Sequence, residues 1–345
     1  MSSAARAARA LVPLLAALAA FAGAARAQTP DSAAPVVPAR CAEAPPPGPP
    51  RDSAAAARPS RSRTSADKMG RKYGDTVRVA APIPTAMPGS VLPGCRIVAF
   101  YGNPLSKRMG ILGLTPTDSM LARLARQAHA YAALDSTRPV VPALQLVTPV
   151  AQAAPGRDGK YRLRMRDSTI EHFAGLAERA HALLILDMQV GKSTVAAELA
   201  PLLPFLARPT VHLALDAEFS IKRADKHPGQ VVGTLDAADI NLVIDTLAAM
   251  VTRLGLPPKV LIVHRYTIPM ITHSALIRID PRVQVVIDMD GNGPPEDKFG
   301  SYGAYVHDRP VEFPGIKLFY KQDVPMLTPA QVLGLDPIPV YVQYQ

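Results

Sequence analysis

Five carboxylates close three short apolar runs in a pattern suited to acid–base chemistry. Asp187 ends the run 183–187, Asp216 ends 211–216 and is followed by Ala217 and Glu218, and Asp288 ends 283–288 and is followed by Met289 and Asp290. Residues two apart on an extended strand point the same way. Asp216 and Glu218 are therefore expected to share a face, as are Asp288 and Asp290. Carboxylates held close together raise one another's pKa, so one stays protonated as an acid while another is ionised. Glycoside hydrolysis uses such a pair, and the separation of the two carboxyls sets retention or inversion. Glu218 is the expected acid, with Asp216 or Asp288 as its partner and Asp187 as a further catalytic acid.

Polar and aromatic residues at the ends of the other runs are candidate substrate contacts. They are Tyr101, Asn103, Gln189, His264, Tyr320, Lys321 and Gln343, and Asp290 joins them. Trp is absent, which removes the side chain that most often stacks on sugar rings; Tyr101, Tyr266, Tyr320 and Tyr344 partly replace it. As an alternative to acid–base work, Asp187, Asp216 and Asp288 offer hard oxygen ligands for Mg2+ or Ca2+. No His pair stands at the spacing of a zinc site. The sequence Gly191-Lys192-Ser193-Thr194 resembles the end of a phosphate-binding loop, but the glycine needed five residues earlier is Leu186, so nucleotide binding is not expected. Residues 290–294 are expected to form a turn, and 298–305 to belong to the same rim loop.

These groups need a scaffold that gathers strand ends. Apolar runs at 96–101, 143–148, 183–187, 211–216, 260–264, 283–288, 316–320 and 340–344 suit strands buried on both faces. Stretches with helical spacing alternate with them, at 118–134, 168–180, 193–206, 236–254, 268–277 and 329–335. Asp118 and Asp236 are the expected N-caps of two of these, and Gly255 before Pro257 is a stop signal. Eight strands in about 250 residues predict one α/β domain, a (β/α)8 TIM-type barrel over residues 94–345, with its chemistry at the C-terminal strand ends. An open doubly wound sheet is the second choice, lowered by the missing dinucleotide glycines.

The first hundred residues differ in kind. Arg6 and Arg9, an apolar run at 10–25 and Ala25-Arg26-Ala27 predict a signal peptide, residues 1–27, cut after Ala27. The protein is thus expected to be secreted or periplasmic, with no transmembrane anchor after cleavage. Residues 28–93 are rich in Pro, Ala, Ser and Arg, the composition of a disordered linker. Between residues 40 and 80 stand nine Arg or Lys against four Asp or Glu, so much of the chain's net charge of +10 belongs to this stretch. A basic tether suits anionic envelope polymers, whereas export and the lack of interleaved aromatics argue against nucleic acid. The two cysteines, Cys41 and Cys95, could pair in an oxidising compartment.

The Asp216-Ala217-Glu218 motif, with Gln343-Tyr344 closing the last strand, resembles bacterial muramidases of glycoside hydrolase family 25. Those are exported barrels with an Asp-x-Glu pair after the fourth strand that cut peptidoglycan. The resemblance implies Glu218 as acid, Asp216 as its neighbour and Asp187 or Asp288 as further acids. Two functions follow as expectations. One is a hydrolase acting on a cell-envelope or environmental glycan, needing no cofactor; the other is a non-catalytic, envelope-associated binding or scaffold barrel.

Overall fold

The computed structural model describes residues 37, 38, 41 and 68–345. The expected signal peptide and most of the expected linker lie outside the described residues.

Eight strands form the barrel: β1 (Arg96–Asn103), β2 (Val140–Val147), β3 (Leu183–Met188), β4 (Val211–Asp216), β5 (Lys259–Arg265), β6 (Val283–Met289), β7 (Phe313–Leu318) and β8 (Tyr341–Tyr344). Each pairs in parallel with the next, and β8 returns to β1 through Val98 opposite Val342. That last pairing closes the sheet and rules out the open doubly wound alternative.

The helices are α1 (Thr117–Leu134), α2 (Asp167–Arg179), α3 (Val195–Leu199), α4 (Leu203–Leu206), α5 (Ala237–Leu254), α6 (Pro295–Tyr302) and α7 (Pro329–Leu333). Helix α5 follows the sequence signals closely. Asp236 caps it in a capping box with Asp239, and Gly255 ends it in the left-handed conformation at φ 63°. Four expectations are corrected. Asp118 lies in the first turn of α1 and Pro116 is its N-cap, without a side-chain cap. The helix expected over 193–206 is broken into α3, a 3-10 turn and α4, because Pro201 and Pro204 lack the N–H a continuous helix needs. Residues 268–277 form two 3-10 turns around a two-residue strand, with Pro269 starting the irregularity. The expected rim loop at 298–305 is instead α6 followed by the π-turn Gly303–His307.

Side chains alternate between the helix-facing layer and the barrel interior. The lower interior is apolar: Ile97, Ala99, Val141, Ala143, Leu183, Ile185, Ala214, Val260, Ile262, Val286, Phe313 and Tyr341 pack together. Gly315 on β7 makes room there, since a Cβ would come within 2.8 Å of Val286 and 3.1 Å of Tyr341. Val91, Leu92, Cys41 and Cys95 join the same cluster and plug the bottom. Gln284 holds this plug, its Oε1 accepting from the Val91 and Leu92 amides, both at 3.1 Å.

Two parts of the stretch assigned by composition to the linker, around Asp75 and at residues 90–92, are buried against the barrel. Residues 68–73 are helical, and Asp75 is fully buried. Its carboxylate pairs with Arg265, accepts from Ser274 Oγ, and lies 3.4 Å from Arg309 Nε. Three ionic or hydrogen-bonded partners thus hold a segment whose composition has few large apolar groups to hold it.

The Cys41–Cys95 disulfide is formed, with both residues fully buried. It closes a loop with a sequence separation of 54. Replacing both cysteines by serine should lower stability by about 2–4 kcal/mol, because the unfolded chain gains the freedom of that loop. Thermal melts of the variant and the oxidised protein check this; equal melting temperatures would show that the bridge constrains nothing.

Candidate functional site

Above the apolar layers, every strand turns a polar or phenolic side chain into the barrel or its mouth. In strand order these are Tyr101, Gln145, Asp187, Asp216, His264, Asp288, Lys317 and Gln343. All are buried, the most exposed being Asp216 and Lys317 at 4%. The ring has two parts, a closed network below and an open pocket above.

The network centres on His264. Its Nε2 lies 3.0 Å from Asp187 Oδ2 and 3.1 Å from Gln145 Nε2, while its Nδ1 lies 3.1 Å from Asp288 Oδ2 and 3.4 Å from Asp290 Oδ2. Gln145 donates to Asp187 at 2.6 Å and accepts from the Tyr341 hydroxyl, which in turn accepts from Gln343 Nε2 at 3.0 Å. Burial alone would favour the neutral imidazole, but Asp187, Asp288 and Asp290 overcome it and hold the His264 pKa well above its ordinary value. His264 thus sits between carboxylates that favour its imidazolium form. Asp187 and Asp288, both fully buried, face this ring rather than solvent.

The pocket, about 820 Å3, lies over the network at the C-terminal ends of the strands. Asp216, Glu218 and Asp290 line it, together with Tyr101, Gln189 and Lys317 from the barrel and Tyr266 and Gly291 from the loops after β5 and β6. The rim is built by Ser106, Arg108 and Met109 of a short hairpin strand paired to β1, and by Glu296, Asp297 and Ser301 of α6. Asp216 is held at both oxygens: Oδ2 accepts from Gln189 Nε2 at 3.0 Å and Oδ1 from the Glu218 amide at 3.1 Å. Gln189 is fixed in turn, its Oε1 accepting from the Ala151 amide at 3.1 Å and its Nε2 lying 3.2 Å from the Tyr101 hydroxyl. Glu218 is only half-buried and hydrogen-bonds with the Tyr266 hydroxyl.

Burial raises the pKa of Asp216, Glu218 and Asp290, and nearby carboxylates raise each further: Asp187, Asp290 and Glu218 act on Asp216, Asp290 on Glu218, and Asp288 on Asp290. His264 opposes the shift in all three, and Lys317 opposes it for Glu218 and Asp290. Lys317 Nζ lies 4.0 Å from Asp290 Oδ2 and 3.9 Å from the Tyr101 ring centre. Groups so coupled lose their protons as a set. A raised Asp216 binds a proton in the folded state over a pH range where the unfolded chain has lost it. Its contribution to stability therefore falls as pH rises from about 4 through the raised value. Asp216→Asn, which cannot ionise, should lack that component. Melting temperatures of the two proteins across pH check this; parallel curves would contradict it.

Several expected site residues stand elsewhere. Glu218 is not on β4 but in a 3-10 turn, Ala217–Phe219, capped by Asp216; the turn nevertheless brings both carboxyls to one pocket. Asp187, Asp288, His264 and Gln343 lie below the pocket and do not line it. Asn103 anchors the hairpin, donating to the Val147 carbonyl at 2.9 Å and accepting from the Leu105 amide at 2.9 Å. Tyr320 and Tyr344 stack on each other with ring centres 5.3 Å apart, and Lys321 is exposed outside the pocket. Asp187, Asp216 and Asp288 do not converge on a common cation position, because His264 lies between Asp187 and Asp288 while Gln189 and a backbone amide occupy Asp216. Among the described residues no group of three or more His, Cys, Asp and Glu is arranged to hold a metal ion.

Sequence reasoning missed Gln145 and Lys317. The signal was present: each is a polar residue inside an apolar strand run, as is Gln343. Lys317 was obscured because β7 begins at Phe313, three residues before the expected run, so Lys317 falls near the strand's end. The Gly191 sequence forms no phosphate cradle. Gly191 is bridged to Ser220, and Lys192 Nζ donates to the Ala224 carbonyl at 2.6 Å.

The fold and site define a closed parallel (β/α) barrel with a carboxylate-lined pocket at the C-terminal ends of its strands. No protein-family model matches the chain, and a search of curated proteins finds no match either. Among the described residues, no helix is long and apolar enough to cross a membrane.

Proposed function

We propose that the protein is an exported hydrolase that cuts a cell-envelope or environmental glycan, with Glu218 and Asp216 as its acid–base pair. The supporting observation is that these two carboxyls line one open pocket at the barrel's C-terminal mouth, both with raised pKa. A pair that shares one proton provides a general acid and a general base together. Glu218, the more exposed, delivers the proton to the departing glycosidic oxygen. When Glu218 carries the shared proton, Asp216, whose oxygens both accept hydrogen bonds, is the carboxylate that faces the positive charge developing on the sugar and takes a proton from the attacking water. Asp288, the other expected partner, lies behind His264 and serves instead to hold that ring. Tyr266 and Phe219, both partly exposed, line the pocket and offer ring faces to a sugar in place of Trp.

The test is release of reducing ends by the purified protein from peptidoglycan and a panel of soluble glycans. Turnover of at least one glycan is expected. No turnover on a broad panel would leave a pocket that binds without cutting.

A further inference from the structure

The pocket's charge is unbalanced. Asp216, Glu218, Asp290, Glu296 and Asp297 line it against only Lys317 and Arg108. His264 lies 3.4 Å from Asp290 Oδ2 but is shared with Asp187 and Asp288 below, so one cation cannot balance the whole set. An acidic lining alone would be met by protons and water. Asp290 adds a separate observation. It is 6% exposed and lines the pocket, yet its Oδ1 is buried with no hydrogen-bond partner. A buried carboxylate oxygen left unpaired costs free energy, which a donor brought by a ligand would recover.

We infer that the pocket takes a cationic glycan, one whose sugars carry unsubstituted amino groups, and that Asp290 binds an ammonium of it. The ammonium is the donor that fits, because it supplies both the missing hydrogen bond and the missing positive charge. Glu296 and Asp297, exposed at the start of α6, extend the negative field to the entrance and draw a polycation toward it. The partly exposed rings of Phe219 and Tyr266 accept the apolar faces of the sugars and add cation–π attraction. This rests on the glycan reading above and names the substrate class within it.

Calorimetric titration of the full chain with a glucosamine tetramer and with its N-acetylated counterpart, at near-neutral pH, tests the inference. The amine tetramer should bind at least about tenfold more tightly, the effect of one charge-assisted hydrogen bond. Raised salt should erode that preference. Asp290→Asn should remove most of it. The paired rim substitution Glu296→Gln with Asp297→Asn, on exposed positions where folding is not at stake, should reduce both affinity and salt dependence. Equal binding, tighter binding of the acetylated tetramer, or no binding of either would overturn the inference. Turnover of acetylated glycans alone would overturn it while leaving the hydrolase reading standing. Tight binding of the amine tetramer with no turnover of any glycan would support it and overturn the hydrolase reading.

Discussion

Glu218→Gln is expected to cut turnover by about a hundredfold to ten-thousandfold, the usual contribution of a positioned general acid, while leaving the melting temperature near that of the native protein. The two halves of this expectation come from different features. Glu218 is half-buried, sits in a 3-10 turn and keeps its backbone bond to Asp216 whatever its side chain. Gln preserves its shape and its contact with the Tyr266 hydroxyl but has no proton to give. Substrate affinity should change little, because the acid acts on the departing oxygen and not on the sugars that anchor the chain. Steady-state kinetics beside a thermal melt separates the cases. A variant that keeps full activity would remove Glu218 from the chemistry, and one that loses activity only together with its fold would assign it to the scaffold.

Asp75→Ala should produce the largest loss of stability, about 3–5 kcal/mol, as expected when one partner of a buried ion pair is removed. The carboxylate is fully buried against Arg265 and Arg309, both also fully buried, with Arg78 Nη1 at 3.9 Å. Removing it leaves guanidinium groups facing one another without a counter-charge. The consequence should reach the pocket, since Arg265 is the last residue of β5 and Tyr266, which hydrogen-bonds with Glu218, follows it. Chemical denaturation should report the loss, and Asp75→Asn should recover part of it by retaining a hydrogen-bond acceptor. A native-like midpoint for the Ala variant would mean that residues 68–80 merely rest on the barrel.

Much of this architecture is legible in the chain. The run 211–216 coincides with β4, and Asp236 and Gly255 bound α5 as expected, because their cap chemistry is local. What escaped depends on distant partners. Asp75 stands in a stretch whose composition indicates a linker, and Arg265, Ser274 and Arg309, far along the chain, give it a place. Glu218 was expected on a strand by spacing of two, yet the Asp216 side chain caps the Glu218 amide and turns the backbone first. His264 carries no motif; its role comes from Asp288 on the neighbouring β6 and Asp187 on β3, which reaches it across the barrel interior. The rim of α6 was hidden because residues 290–294 carry turn signals, and the helix starts at Pro295 immediately after them.

The central claim is that Asp216 and Glu218 share a proton held above the ordinary carboxyl range and deliver it to a substrate. The pH dependence of kcat/KM for reducing-end release tests it most directly. A basic limb is expected with an apparent pKa at least about one unit above the ordinary Glu value near 4.3, absent from the residual activity of Glu218→Gln. A limb at the ordinary carboxyl value, or one unchanged in the variant, would contradict it.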